Sequence, residues 1–386
     1  MSKSSKPGIK IPVKNGIEQT VRTLLNKALG HSIDALLMPV KVPSKDSYAW
    51  ILMQDSDVVN DASPMAAGMP VQGAKALKSL TRKGGGSLRV AALMRPCEVR
   101  AAIELVKLNQ INLENVVLIS YDCPGALPLS ELSDNFEAAE KKFKVLLSSR
   151  CFDSPDVKPV CQFCTGFSMG AADIHIGLAD GDTGHLLLIS GSPKGKAFLS
   201  AAGLNVDEDL SAYKKQVDLI LKKKTQKTKE IFQAVQPMVE GLENLAETFS
   251  NCIGCHNCQS ACPICYCRQC YFDSKESKLE PAYYMEKAEK RGGVSFPHDR
   301  VLFHVGRMSH MSLSCVSCGQ CTDACPVSIP VAKVFSYVAS QTQQAFEYSA
   351  GKSVSEAIPL KEFKEDELQK IHEIVKSAES QESPHE

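Results

Sequence analysis

Two cysteine runs dominate the chemistry open to this sequence. The first reads Cys252-x-x-Cys255-x-x-Cys258-x-x-x-Cys262-Pro263 and the second Cys315-x-x-Cys318-x-x-Cys321-x-x-x-Cys325-Pro326. Three thiolates at this spacing on a tight loop wrap one corner of an iron–sulfur cubane, and the proline after the fourth cysteine turns the chain away. Two copies match the run of two-cluster bacterial ferredoxins, in which the fourth cysteine of each run serves the other cluster. One 4Fe–4S cluster is therefore expected on Cys252, Cys255, Cys258 and Cys325, and a second on Cys315, Cys318, Cys321 and Cys262. Four-coordinate zinc needs only paired C-x-x-C units and would leave the third cysteine and the C-P ending unused.

Eight further cysteines remain. Cys123, Cys151, Cys161 and Cys164 fall in the amino-terminal half, and the Cys161-x-x-Cys164 pair is a natural half-site for a third 4Fe–4S cluster. Buried thiols or a zinc half-site are the plainer reading. Counting alone would join Cys97 to Cys265, Cys267 and Cys270 in a fourth site. Cys97 also precedes a helix start, where the helix dipole lowers a thiol pKa, and a structural role is as good an account. His256, His298, His304 and His310 have no triad spacing; one of them could ligate a cluster or hydrogen-bond to its sulfur, with nothing to choose among them.

Several function classes are disfavoured by composition. Lys plus Arg equals Asp plus Glu at 44 each, so no overall field favours nucleic acid or an anionic membrane. No run of about 18 apolar residues could span a bilayer, and Met1–Lys10 has no apolar signal core. Sixteen cysteines without a secretory signal point to a reducing cytoplasm, where thiols persist as metal ligands, and low-potential clusters suit an anaerobe.

The elements that must position these cysteines read as two modules. A flexible amino terminus over 1–13 precedes an α/β domain over 14–205. There, helical periodicity over Gly16–Leu29 is followed by strand signals over Ile33–Val42, Tyr48–Met53, Leu88–Leu93 and Val116–Ser120. Intervening helices at Lys75–Thr81 and Val99–Gln110 imply a mostly parallel sheet, whose strand ends lead into Arg95-Pro96-Cys97 and Asp122-Cys123-Pro124, where such sheets place ligands. Ile174 and Ile176, the turn Gly177–Gly184 and the strand His185–Ser190 read as an edge hairpin.

A helical linker over 206–249 carries lysines from Lys222 to Lys229 that read as a solvated face. A helix-rich dicluster ferredoxin domain follows over 250–348. Its two runs are separated by the 52 residues Pro263–Ser314, far more than a compact ferredoxin uses. The charged tail, 349–386, has Phe363, Leu368, Ile371, Ile374 and Val375 on one helical stripe.

Taken together, Leu93-Met-Arg-Pro-Cys97-Glu-Val-Arg, Ile119-Ser-Tyr-Asp-Cys123-Pro-Gly, Cys161-x-x-Cys164-Thr-Gly-Phe and Ala172-Asp-Ile-His-Ile-Gly177 resemble the beta-subunit family of deazaflavin (factor-420) hydrogenases and dehydrogenases, with the strongest likeness to formate dehydrogenase beta subunits. The resemblance covers roughly residues 14 to 200. It implies FAD on the α/β domain, a nearby 4Fe–4S cluster and electron exchange with a catalytic alpha-type subunit in a hetero-oligomeric complex. Gly16, Thr20, Arg95, Cys97, Glu98, Arg100 and Asp122 are the candidate flavin contacts; surface pairing and helix capping are the alternative for the polar ones. The chain departs from flavin-binding members in having Asn15-Gly16 where they often carry a glycine pair, and Gly68-Met69-Pro70-Val71 where they often carry Gly-Ser-Lys-Tyr.

The function expected is an iron–sulfur, flavin-containing electron-transfer subunit. It would pass electrons between a catalytic subunit of formate dehydrogenase or hydrogenase type and a flavin, deazaflavin, ferredoxin or heterodisulfide-reductase-type partner. The alternative is a flavin-free relay wiring two larger redox enzymes.

Overall fold

The computed structural model describes residues 8–168, 170–204, 209–274, 280–293, 299–359, 361–362 and 365. The amphipathic stripe expected in the tail, and His298, lie outside these residues.

Seven strands form one sheet: β1 (Gly8–Pro12), β2 (Ala35–Lys41), β3 (Tyr48–Met53), β4 (Val90–Leu93), β5 (Val116–Tyr121), β6 (Ile174–Gly177) and β7 (His185–Ser190), in the order β1-β7-β6-β5-β4-β2-β3. The four central strands β2, β4, β5 and β6 are parallel, while β3, β7 and β1 are antiparallel to their neighbours. The expected α/β architecture is therefore present, and the β6–β7 hairpin is where its alternation placed it. Two features differ from expectation. Residues 8–12 are a strand, because Ile9 and Ile11 alternate with polar neighbours and pair with Leu188 and Leu186. For the same reason β7 is internal, and β1 takes the edge.

Strand β5 shows how the sheet organises the whole chain. Val117, Ile119 and Tyr121 face one hydrophobic core, with helices Ile17–Ala28 and Phe136–Ser148, while Val116 and Leu118 face a second core. A strand apolar on both faces is the mark of a sheet covered on both sides. The second core runs on without a break from Leu118, Ala92 and Val99 to Phe249, Cys258, Phe303 and Phe335. The cysteine-rich module thus packs on one face of the sheet rather than hanging from it.

Two devices pin that arrangement. Glu104, fully buried, accepts from Lys107 Nζ (3.0 Å), Tyr348 Oη (2.7 Å) and the Gly351 backbone N–H (2.8 Å), tying the helix Pro96–Lys107 to the chain beyond the cysteine module. The expected linker is the 29-residue helix Ser211–Val239, which lies against residues 158–164. Lys223 and most of its lysines are solvated as expected, but Lys224 is 2% exposed and donates to the Cys161 carbonyl (2.9 Å).

Candidate iron–sulfur sites

Each cysteine run folds as a loop with two left-handed residues at matching positions. In the first run these are Gly254 (φ 67°) and His256 (φ 57°), and in the second Ser317 (φ 55°) and Gly319 (φ 80°). Left-handed residues on either side of the middle cysteine curl the backbone around a common centre and aim its N–H groups inward, as Gly254 N does toward Cys252 Sγ at 3.4 Å. Each loop then enters a short helix, Asn257–Ala261 or Gln320–Asp323, and these two helices pack together. That packing brings the fourth cysteine of each run toward the other loop.

The fourth cysteine of each run lies near the thiols of the other. Cys262 lines one cavity with Cys315, Cys318 and Cys321. Around Cys258, burial pushes the thiol pKa up, Arg307 pulls it down, and Cys252, Cys255 and Cys325 are near enough to push it up again. The thiols of each expected set therefore lie near one another, with Cys255 exposed and Cys252 and Cys258 buried. Burial pushes Cys318 up to about 12 and Cys315 to about 11. A cluster takes cysteine as thiolate, and the donors that would hold one here are the four thiols lining this cavity.

A third cavity collects Cys97, Cys123, Cys161 and Cys164, together with Arg95, Phe167 and the edge residues Ser317 and Cys318. The topology explains it: Cys97 and Cys123 follow the carboxyl ends of the adjacent parallel strands β4 and β5, and Cys161 and Cys164 belong to the short helix Pro159–Gln162 and its exit. Cys151 does not line this cavity; its thiol faces Asp153 Oδ1 at 3.5 Å. Nor does Cys97 join Cys265, Cys267 and Cys270, which share a separate cavity with His310 and Arg307. The expectation of a lowered Cys97 pKa is corrected as well, because burial first, and then Glu98, Cys318 and Cys123, raise it against the helix start and Arg100. Among the described residues, no three His, Cys, Asp or Glu side chains converge to hold a single metal ion.

The candidate flavin residues are drawn into other bonds. Gly16 (φ 91°) opens the first helix, and Thr20 Oγ1 bonds to Lys14 N (2.9 Å) and to the Gly16 carbonyl (2.9 Å). Arg95 donates to Gly125 O (2.9 Å), to Cys123 Sγ (3.4 Å) and to Ala66 O, while Glu98 accepts from Arg95 N and Gly73 N at 2.8 Å each. Asp122 accepts from Ser168, Tyr213 (2.8 Å), Leu178 N (2.7 Å) and Ala179 N (2.9 Å) and faces His175 Nε2 at 2.8 Å. Arg100 lies 3.9 Å from Cys164 Sγ and lines a polar cavity with Cys164 and Cys315. The structure does not gather the seven around one cavity.

Sequence reasoning left His304 as one of four histidines able to touch a cluster sulfur and did not single out Arg307. His304 Nε2 is 3.4 Å from Cys252 Sγ and stacks on Phe249, with centroids 3.8 Å apart. Burial, then the charge of Arg307, holds its pKa down to about 3, so the ring is neutral. Arg307 Nη1 donates to Cys258 Sγ at 3.0 Å. Both residues sit on the helix Asp299–Met311 in the long insert, three positions apart on one face. That i, i+3 pairing was the available signal.

Residues 247–329 match the family described as 4Fe-4S dicluster domain, so the chain carries that domain. Over 296 residues the chain is 25% identical to the F420-dependent formate dehydrogenase subunit beta of Methanocaldococcus jannaschii, spanning 68% of this chain and 74% of that relative. It is 26% identical over 299 residues to the F420-dependent formate dehydrogenase 1 subunit beta of Methanococcus maripaludis, spanning 68% and 73%. A solved chain of the F420-reducing NiFe hydrogenase complex from Methanosarcina barkeri aligns with a TM-score of 0.43 at 14% identity, covering 62% of this chain and 95% of that one. The sequence likenesses and the dicluster match bear out the expectation of an iron–sulfur electron-transfer subunit of an oxidoreductase.

Proposed function

We propose that this protein is the electron-relay subunit of a formate dehydrogenase- or hydrogenase-type complex, with three 4Fe–4S clusters in a row. The observation that carries the reading is the continuity of the thiol sets. The cavity of Cys97, Cys123, Cys161 and Cys164 abuts Cys318 of the next set. That set shares its crossed loops with the Cys252, Cys255, Cys258 and Cys325 set, and Cys255 reaches the surface. Close approach is enforced at Gly319, where a Cβ would meet Val160 Cγ2 at 2.4 Å. Each cluster would supply one-electron storage, and the protein would supply placement and tuning. Reduction at the buried end and oxidation at Cys255, or the reverse, would connect a catalytic alpha-type subunit with a second redox subunit in a reducing, cytoplasmic setting. No described helix is long and apolar enough to cross a membrane.

For the flavin we favour the relay without FAD, because Asp122, Glu98, Arg95 and Thr20 spend their hydrogen bonds inside the protein. Cys265, Cys267 and Cys270, with three thiols on one cavity, are the ligands available to a fourth cluster. The test is iron, acid-labile sulfide and flavin content per chain of anaerobically purified protein, with the mass of the native complex. About twelve iron and no flavin are expected for three cubanes. About eight iron would remove the third cluster, about sixteen would add the fourth, and stoichiometric flavin would restore the FAD reading. Zinc without sulfide would defeat the whole proposal.

A further inference from the structure

The long insert between the cysteine runs has no counterpart in a compact ferredoxin, and its best-packed element is the helix Asp299–Met311. One face of that helix meets sulfur three times. His304 is 3.4 Å from Cys252 Sγ, Arg307 3.0 Å from Cys258 Sγ, and Met311 Sδ 3.3 Å from Cys265 Sγ. Of these only Arg307 carries a charge, and its surroundings are unusual for a charge. It is 3% exposed, its guanidinium lies 4.8 Å from the Phe335 ring and 5.5 Å from the Phe303 ring, and its Nε has no partner. Its second amino group holds the Cys258 carbonyl at 3.2 Å. The same side chain lines the cavity of Cys262, Cys315, Cys318 and Cys321. After burial, the groups acting on it most strongly are Cys258, Cys265, Cys262 and Cys321. A buried cation needs an anion within reach, and here thiols fill the place that a carboxylate would ordinarily take.

We infer that Arg307 sets the reduction potentials of both clusters of the dicluster domain, standing between them as a shared fixed cation. This rests on the cluster ligation proposed above. A cubane with four thiolates is a net anion that gains one negative charge on one-electron reduction, the electron coming from the neighbouring centre or redox partner. Arginine keeps its proton in both states, so its field and its hydrogen bond to Cys258 stabilise the reduced form and raise the potential. One charge near both centres raises both potentials, so each cluster becomes easier to reduce. The insert would then be the means by which this domain departs from a bare ferredoxin.

The experiment is a redox titration of the full-length holoprotein, followed by electron paramagnetic resonance, in wild type, Arg307→Met and Arg307→Lys. Iron and sulfide are measured on the same samples: their absence from wild type would refute the ligation proposal, whereas loaded clusters test Arg307 itself. In Arg307→Met both clusters should become harder to reduce, with the reduced-to-oxidised ratio at the wild-type midpoint falling about tenfold, which is ~59 mV for one electron. Arg307→Lys, with its charge kept but its planar fork lost, should lie between the two. Unchanged potentials in loaded Arg307→Met, a shift in one cluster alone, or a Lys variant shifted as far as Met would overturn the inference. If the Met variant fails to load iron, the Lys variant decides: a fall in both potentials supports the inference, and no change or a fall in one alone overturns it.

Discussion

Replacing Cys97 tests the most specific difference between the sequence reading and the structure. Four cysteines of the amino-terminal half were expected to hold the third cluster, with Cys151 among them. The fold instead puts Cys97 on the cavity of Cys123, Cys161 and Cys164, and turns Cys151 toward Asp153. Cys97→Ala should therefore remove one whole cubane, taking iron from about twelve to about eight per chain with an equal loss of labile sulfide. Cys151→Ala should leave iron unchanged. Because the Cys97 cavity abuts Cys318, loss of this cluster should also abolish any magnetic coupling between the third centre and its neighbour in the fully reduced protein. Iron and sulfide analysis of the two variants, purified side by side without oxygen, provides the measurement. Loss of about four iron from Cys151→Ala with none from Cys97→Ala would refute the geometric argument and restore the original ligand set.

Other consequences concern the parts that hold the sites together. Glu104→Ala strips Lys107 of its nearest anion, leaving Glu356 4.0 Å away, and should cost about 3–5 kcal/mol, the usual penalty for breaking a buried ion pair, in anaerobic urea unfolding. Gly351→Ala should destabilise by at least ~1–3 kcal/mol in the same assay. Its φ is +76°, and a Cβ would meet the Arg100 carbonyl oxygen at 2.6 Å. Tyr213→Phe deletes one donor to the buried Asp122 carboxylate and should cost about 1.5–3 kcal/mol, seen as a lower unfolding midpoint with iron content preserved. Removing iron with a chelator should open the two cysteine loops to proteolysis near 250–262 and 315–325 while sparing β4 and β5, because cluster binding contributes directly to folding of the loops.

How much of this was legible depended on whether a contact is local. The cysteine runs pointed to the two crossed groups of thiols that the fold places near one another, because the spacing that wraps a cubane lies within seven residues and the exchange of the fourth cysteine is built into the motif. The parallel strands and the β6–β7 hairpin were legible from alternation and from the turn between them. Strand β1 was not, since two isoleucines behind a polar terminus are too short a pattern to separate from coil. Cys97 could not be told from Cys151 by spacing, because what joins Cys97 to Cys123 is the adjacency of β4 and β5, a tertiary fact. Lys224 looked like its exposed neighbours, and only the path of the long helix beside Cys161 distinguishes it.

The arrangement also explains why the cysteine module is joined to the sheet through a common core instead of a free linker. In the proposed relay, electron passage between the third set and the Cys315 loop would require the two to stay at contact distance, and a mobile tether would lose that most of the time. Three separate restraints act on this one junction. Lys158, beside the third set, pairs with Asp323 of the second loop's helix; Gln320 donates to Pro70 O at 3.0 Å; and Gly319 admits Val160 at a separation no other residue would allow. Among the described residues the opposite end is more open, since Cys255 is exposed and Ile253, two residues before it, is 60% exposed. A relay that must hold one gap rigidly and offer the other to a partner would be expected to distribute its packing in this way. Gly319→Ala should accordingly slow electron transfer between the second and third clusters, measured by pulse reduction of the loaded protein, while leaving reduction through the Cys255 end at its wild-type rate. Equal slowing at both ends would show that the junction is not the point the packing protects.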